Sequence, residues 1–282
     1  MSWLLEAFEP SFMQRALIAG LLAVTATSLV GTWVVVRGLS FLGDALAHGV
    51  IPGIAVAVLT GFNPVLGALI AALAMTGLIT VITTRTSFPE DTSIGLLFVG
   101  MLSLGIVIVS KSGSFATDVT SLLFGEVLGV TRGDLQTQAL AVALVTIVTI
   151  VMYRPFLALA FNRQKAATLG MRPALAHAAL LAILAVSIVA SFQAIGTLLV
   201  FGLIVGPPAT ASLIVHRIPA IMAGSMIVGA FSVVSGLLVS FHYGTAGGAT
   251  ISGLAVAYFF VALTIRELVS AVRPVDRGLS SQ

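Results

Sequence analysis

The stretch VLGALIAALAMTGLITVITT, residues 65–84, runs for 20 positions without a charged residue or a proline. A helix of that length rises about 30 Å, the thickness of a bilayer's hydrocarbon core. Moving outward in both directions, the pattern recurs. Apolar runs broken by polar, proline or glycine positions lie at 15–36, 45–60, 65–84, 92–109, 135–153, 174–190, 195–214, 220–240 and 250–265. Of the 282 residues, 59% are apolar and 8% are charged, whereas a soluble domain carries about 25% charged residues. The chain therefore lacks the polar surface to face water all round. The bilayer is the solvent that fits, and each spanning helix needs about 20 mostly apolar residues. The expectation is an all-α integral membrane protein of about nine transmembrane helices, with 1–282 forming one domain.

The net charge of +3 is not a nucleic-acid signature, because the basic residues stand singly between apolar runs. The chain has no cysteine, which excludes disulfides and thiolate metal ligands. The N-terminus holds Glu6 and Glu9 and lacks the basic start of a signal peptide, so the first run reads as a retained span. With nine spans the links alternate sides. One side collects Arg37, Arg85, Arg154, Arg163, Lys165, Arg172, Arg217, Arg266, Arg273 and Arg277, and the other Arg15, Lys111 and Arg132. Basic residues favour the cytoplasmic side, so the N-terminus is expected outside and the C-terminus in the cytoplasm of a cell (plasma or inner) membrane. Two links are long. The outer one, 110–134, is apolar in its middle. The inner one, 154–173, reads as a short helix at 164–169 closed by Gly170. It suits a docking surface, or equally an amphipathic helix resting on lipid headgroups. The tail, 266–282, is expected to be cytoplasmic.

An ionisable residue inside a span is costly enough to point to function. Asp44 and His48 lie at the expected start of the second span. A spacing of four puts both on one helical face, and a carboxylate with an imidazole suits a borderline divalent cation. The competing roles are a helix cap for Asp44 and a helix–helix hydrogen bond for His48. Glu90 and Asp91 open the fourth span toward the same, inner, side, where acidic residues also suit the helix dipole. They are expected to share the pathway. His177 reads as a helix–helix hydrogen bonder, and His216 and His242 as turn residues. Asp118, Glu126 and Asp134 give the outer loop an acidic cast. Pro52 and the pair Pro207-Pro208 free backbone carbonyls that need protein or water partners. They are expected to break their helices near a pathway. No Walker A phosphate loop occurs, so the chain is not expected to hydrolyse ATP itself.

The stretch Leu39-Ser40-Phe41-Leu42-Gly43-Asp44-Ala45-Leu46-Ala47-His48-Gly49-Val50-Ile51-Pro52-Gly53 resembles the signature of the manganese/zinc/iron ABC transporter permease family. In the family's order follow Glu90-Asp91-Thr92-Ser93-Ile94-Gly95, Ser121-Leu122-Leu123-Phe124-Gly125-Glu126-Val127-Leu128, the segment 161–170, Gly206-Pro207-Pro208-Ala209-Thr210-Ala211 and Gly247-Gly248-Ala249-Thr250. The chain departs from the family at Asn162, where an aspartate is usual, and at the double proline, where one is common. The resemblance implies a permease bundle of the type II ABC importer kind, homodimeric or closely paired with a second permease copy. Cytoplasmic ATP-binding cassette subunits would drive it and an extracellular metal-binding protein would deliver the ion. It implies that Asp44 and His48 contribute to the translocation site, extended less directly to Glu90 and Asp91. Asn162, Arg163, Lys165 and Gly170 would form the ATPase-coupling segment. No permanently bound cofactor is implied, because the divalent metal is the cargo.

A proton-coupled secondary cation transporter or channel would use the same intramembrane charges but leaves the 154–173 link without a purpose. An intramembrane metalloprotease would need a third protein ligand, commonly a second nearby histidine, and no His-x-x-x-His pair occurs.

Overall fold

The computed structural model describes residues 7–110, 129–161 and 172–272. Among them are eleven helices and no strand. These are α1 (Ser11–Val36), α2 (Ser40–Gly49), α3 (Ile51–Thr60), α4 (Pro64–Arg85), α5 (Glu90–Ser110), α6 (Arg132–Val151), α7 (Tyr153–Phe161), α8 (Pro173–Ile195), α9 (Thr197–Ile214), α10 (Ile218–Tyr243) and α11 (Gly247–Val272). Eight helices are long and apolar enough to cross a membrane when α2 and α3 are taken as one span, Ser40–Thr60, and a shorter apolar helix occupies Leu199–Ile214. The nine runs read from the sequence are all present as helices.

The termini of these helices follow from local chemistry. At α4, the Asn63 side chain accepts from the backbone N–H groups of Val65 and Leu66, and Pro64 opens the first turn where no N–H is needed. At α6, Thr131 and Asp134 form a reciprocal capping box, so Asp134 is a structural cap and not a free loop charge. α3 and α10 end at Gly61 and Gly244, both left-handed. The break between α8 and α9 falls at Gly196 (φ +80°).

α1 lies deep in the bundle against α6, α8, α9 and α10. Trp33 is fully buried and makes edge contacts with Tyr153 and Phe156 at 5.6 and 5.7 Å between ring centroids, which tie α7 to α1. α10 and α11 pack on α9, while α3, α5 and α8 pack on α4. α3 and α4 meet backbone to backbone. A Cβ on Gly53 would strike the Gly67 carbonyl, and one on Gly67 would strike that of Gly53, the close approach that small residues permit in membrane bundles.

Two expectations need correction. The second span begins at Ser40, not at Asp44, so Asp44 sits inside α2 and does not cap it. The chain turns at Gly38 (φ +70°) and re-enters a helix at once. Pro207 and Pro208 do not break α9, which continues through both to Ile214. Proline at 208 leaves the Ile204 carbonyl without its helical donor, and Gly31 of α1 lies against that carbonyl so closely that a Cβ would collide with it. Thr210 donates to the Gly206 carbonyl at 2.8 Å. Close packing by α1 thus covers the freed Ile204 carbonyl, and the helix continues. Pro52 does stand at a break: it is the second residue of α3, two positions after the α2–α3 junction at Val50.

Candidate functional site

Asp44 and His48 lie on α2 one turn apart, and their side chains meet. His48 Nδ1 is 3.1 Å from the Asp44 backbone carbonyl and 3.4 Å from Asp44 Oδ1. Both neighbours are acceptors, so Nδ1 carries a proton, and in the neutral ring the lone pair sits on Nε2. Metal-binding histidines are commonly held this way, with one ring nitrogen donating to an oxygen and the other facing the ion. The ladder ends just beyond this point, because Pro52 cannot donate to the His48 carbonyl.

The walls of the site come from α5, α4 and α9. Phe98 of α5 approaches the His48 ring edge-on at 6.1 Å between centroids and Phe41 at 5.6 Å. Gly105 of α5 fits against Ile51 and Pro52 at the junction, Gly49 lies against Met75 of α4, and Gly43 rests on Phe201 and Ile204 of α9. The opposite side is open. The side chains of Asp44 and His48 are 33% and 29% exposed. Among the described residues no group of three His, Cys, Asp or Glu side chains comes together to hold a metal. Asp44 and His48 thus form a carboxylate–imidazole pair on a partly open face of α2.

Glu90 is held in a different cluster. Its Oε2 accepts from Arg37 Nη2 at 3.1 Å, and its Oε1 lies 3.5 Å from His177 Nε2. Arg37 Nη1 also reaches His177 Nδ1 at 3.4 Å. No local signal marks this grouping in the sequence, because Arg37 reads as a link residue and the partners lie far apart in the chain. The expectation that His177 bonds between helices agrees with the structure. Asp91 is exposed in the first turn of α5. Seven residues, about two turns, separate it from Phe98, so the two share a helix face. The coupling residues Asn162, Arg163, Lys165 and Gly170, and the outer-loop motif at 121–128, lie outside the described residues.

The chain covers 89% of its length, and 87% of the relative, in an alignment 31% identical to the manganese transport system membrane protein MntC of Halalkalibacterium halodurans. It is also 31% identical to the chelated iron transport system membrane protein YfeD of Yersinia pestis, over 98% of this chain and 91% of that one. Among solved structures, PsaBC from Streptococcus pneumoniae in complex with Fab matches with a TM-score of 0.83 at 26% identity, covering 96% of this chain and 99% of that one. The model of the ABC 3 transport family matches residues 9–266, nearly the whole chain, and the protein is a member of that family.

Proposed function

We propose that this chain is the membrane-spanning permease subunit of an ATP-binding cassette importer, moving a divalent metal ion inward by alternating access. One observation carries the reading. A carboxylate and a correctly protonated imidazole stand together on an open face of a membrane-crossing helix, beside a proline break. Relatives named for manganese and iron transport support the cargo class. A site of one carboxylate and one imidazole also accepts zinc.

Asp44 and His48 act as transient ligands. Two ligands from one copy are fewer than the four or more that a divalent ion takes from its surroundings. A second, identical copy completes the set with its own pair, and water fills the rest. Such incomplete protein ligation suits an ion that must leave again. Asp91 lines the exit, about two helical turns along the face of α5 that presents Phe98 to His48. The segment 154–173, with Asn162, Arg163, Lys165 and Gly170, receives the cytoplasmic ATPase subunits, and an extracellular metal-binding protein delivers the ion. The bias of Lys and Arg places the N-terminus outside and the C-terminus in the cytoplasm.

The test is uptake of Mn²⁺, Fe²⁺ and Zn²⁺ into proteoliposomes holding the permease with its ATPase subunits. Wild-type uptake is expected to need ATP. Asp44→Ala and His48→Ala are expected to abolish it while the complex still assembles. ATP-independent uptake driven by a proton gradient would instead support a secondary transporter. Undiminished uptake by both variants would remove the site assignment.

A further inference from the structure

The cluster of Arg37, Glu90 and His177 unites three helix ends on one side of the bundle. Arg37 is the residue that ends α1, immediately before the Gly38 turn that feeds α2. Glu90 is the first residue of α5, and His177 lies in the second turn of α8. The His177 ring is fully buried, and the Arg37 and Glu90 side chains are only 10% and 20% exposed. Buried charges persist only when paired. Each charge also stands at the helix end its sign prefers, arginine at a C-terminus and glutamate at an N-terminus.

The hydrogen-bond roles fix how the three connect. Arg37 Nη1 can only donate, so His177 Nδ1 accepts and Nε2 carries the proton, facing Glu90 Oε1. The imidazole therefore stands between the arginine and the carboxylate, with Nε2 at 3.5 Å from Glu90 Oε1 as an ion-pair contact and not a hydrogen bond, while Arg37 and Glu90 pair directly at 3.1 Å.

What the three helices carry elsewhere gives the cluster its significance. α2 follows Arg37 at once and bears Asp44 and His48. α5 begins at Glu90 and sets Phe98 against His48 at 6.1 Å. α8 begins at Pro173, directly after the segment read as the ATPase contact. We propose that Arg37, Glu90 and His177 are positioning residues for transport, a latch that transmits movement of the α8 entry to α2, which carries Asp44 and His48, and to α5, which walls their site. The latch rests on the ABC importer reading above. It also gives Glu90 a role other than ion ligand.

The experiment uses the reconstituted permease–ATPase complex. It reads two quantities with Mn²⁺ alone: the half-saturating metal concentration and the metal moved per ATP hydrolysed. Glu90→Gln is expected to lower metal moved per ATP by roughly tenfold, with half-saturation within about threefold of wild type. Arg37→Glu should behave alike, and the reversal Arg37→Glu with Glu90→Arg should regain most of the coupling. His177→Gln, which keeps a donor and an acceptor, should stay near wild type, whereas His177→Leu should uncouple.

A Glu90→Gln variant with weakened half-saturation and normal coupling would make Glu90 an ion ligand and overturn the latch. A Glu90→Gln variant equal to wild type in both readouts would overturn it too. Should Glu90→Gln fail to assemble, equal coupling in His177→Gln and His177→Leu overturns it. A wild-type complex without ATP-driven uptake would refute the importer reading instead, which separates the two failures.

Discussion

Asp44 and His48 are coupled through a single proton. The Asp44 carbonyl and carboxylate lie 3.1 and 3.4 Å from His48 Nδ1, which turns Nε2 away from both. Asp44→Asn keeps the side-chain shape and an oxygen that can accept from Nδ1, but removes the negative charge. The expected outcome is a half-saturating metal concentration raised by roughly 10–100-fold, with the imidazole still in place. Initial rates of Mn²⁺ uptake across a concentration series check this, and an unchanged half-saturation would separate Asp44 from the ion. The pair is legible in the sequence because a spacing of four is a local fact about one helix. The Arg37–Glu90–His177 cluster is not. Glu90 and His177 stand 53 and 140 residues from Arg37 in the chain, and only the packing of α1, α5 and α8 brings the three together. Glu90 reads from the sequence as acidic and near the inner side, but its pairing with an arginine is a fact of packing alone.

At the scale of the element, apolar runs mark where helices lie far better than where they start or break. α2 begins at Ser40 behind Leu39, with no side chain capping it, so no capping residue marks its start. The α9 prolines read as a break by the rule for an isolated helix, and α9 is a packed one. The element's continuity depends on Gly31 of α1, whose lack of a side chain allows it to lie on the Ile204 carbonyl that Pro208 leaves unpaired. Gly31→Ala would press a methyl group onto backbone, which cannot yield as a flexible side chain can. A loss of about 1–3 kcal/mol is expected. Gly77 of α4 has open space where its Cβ would be, and there alanine is expected to be neutral or to stabilise by up to about 1 kcal/mol. Thermal unfolding of both variants in the same detergent makes the comparison. Equal midpoints would show that α1 and α9 do not depend on this close approach.

The whole molecule presents two kinds of outer surface. Ile147 and Ile150 on α6 and Phe260 on α11 are exposed and apolar, as a lipid-facing wall requires. Asp44 and His48 are also on the outside of one copy, and a charge set against hydrocarbon costs about 2.5–3.5 kcal/mol on insertion scales. A face that holds both must therefore meet protein and water. In the proposed pairing with a second, identical copy, an isologous interface would turn the same patch of each chain toward the other and would bring two carboxylates and two imidazoles to one axis. Phe41 is three residues before Asp44, on the same face of α2, and is 42% exposed. Because the chain has no cysteine, Phe41→Cys gives a single reactive thiol, and Ile147→Cys on α6 serves as the lipid-face control. In native membranes a bifunctional thiol reagent is expected to convert Phe41→Cys into a covalent dimer and leave Ile147→Cys monomeric. The reverse pattern would turn the Asp44–His48 face away from its copy. The ion would then need a route through one chain, where the described residues bring no three His, Cys, Asp or Glu side chains together.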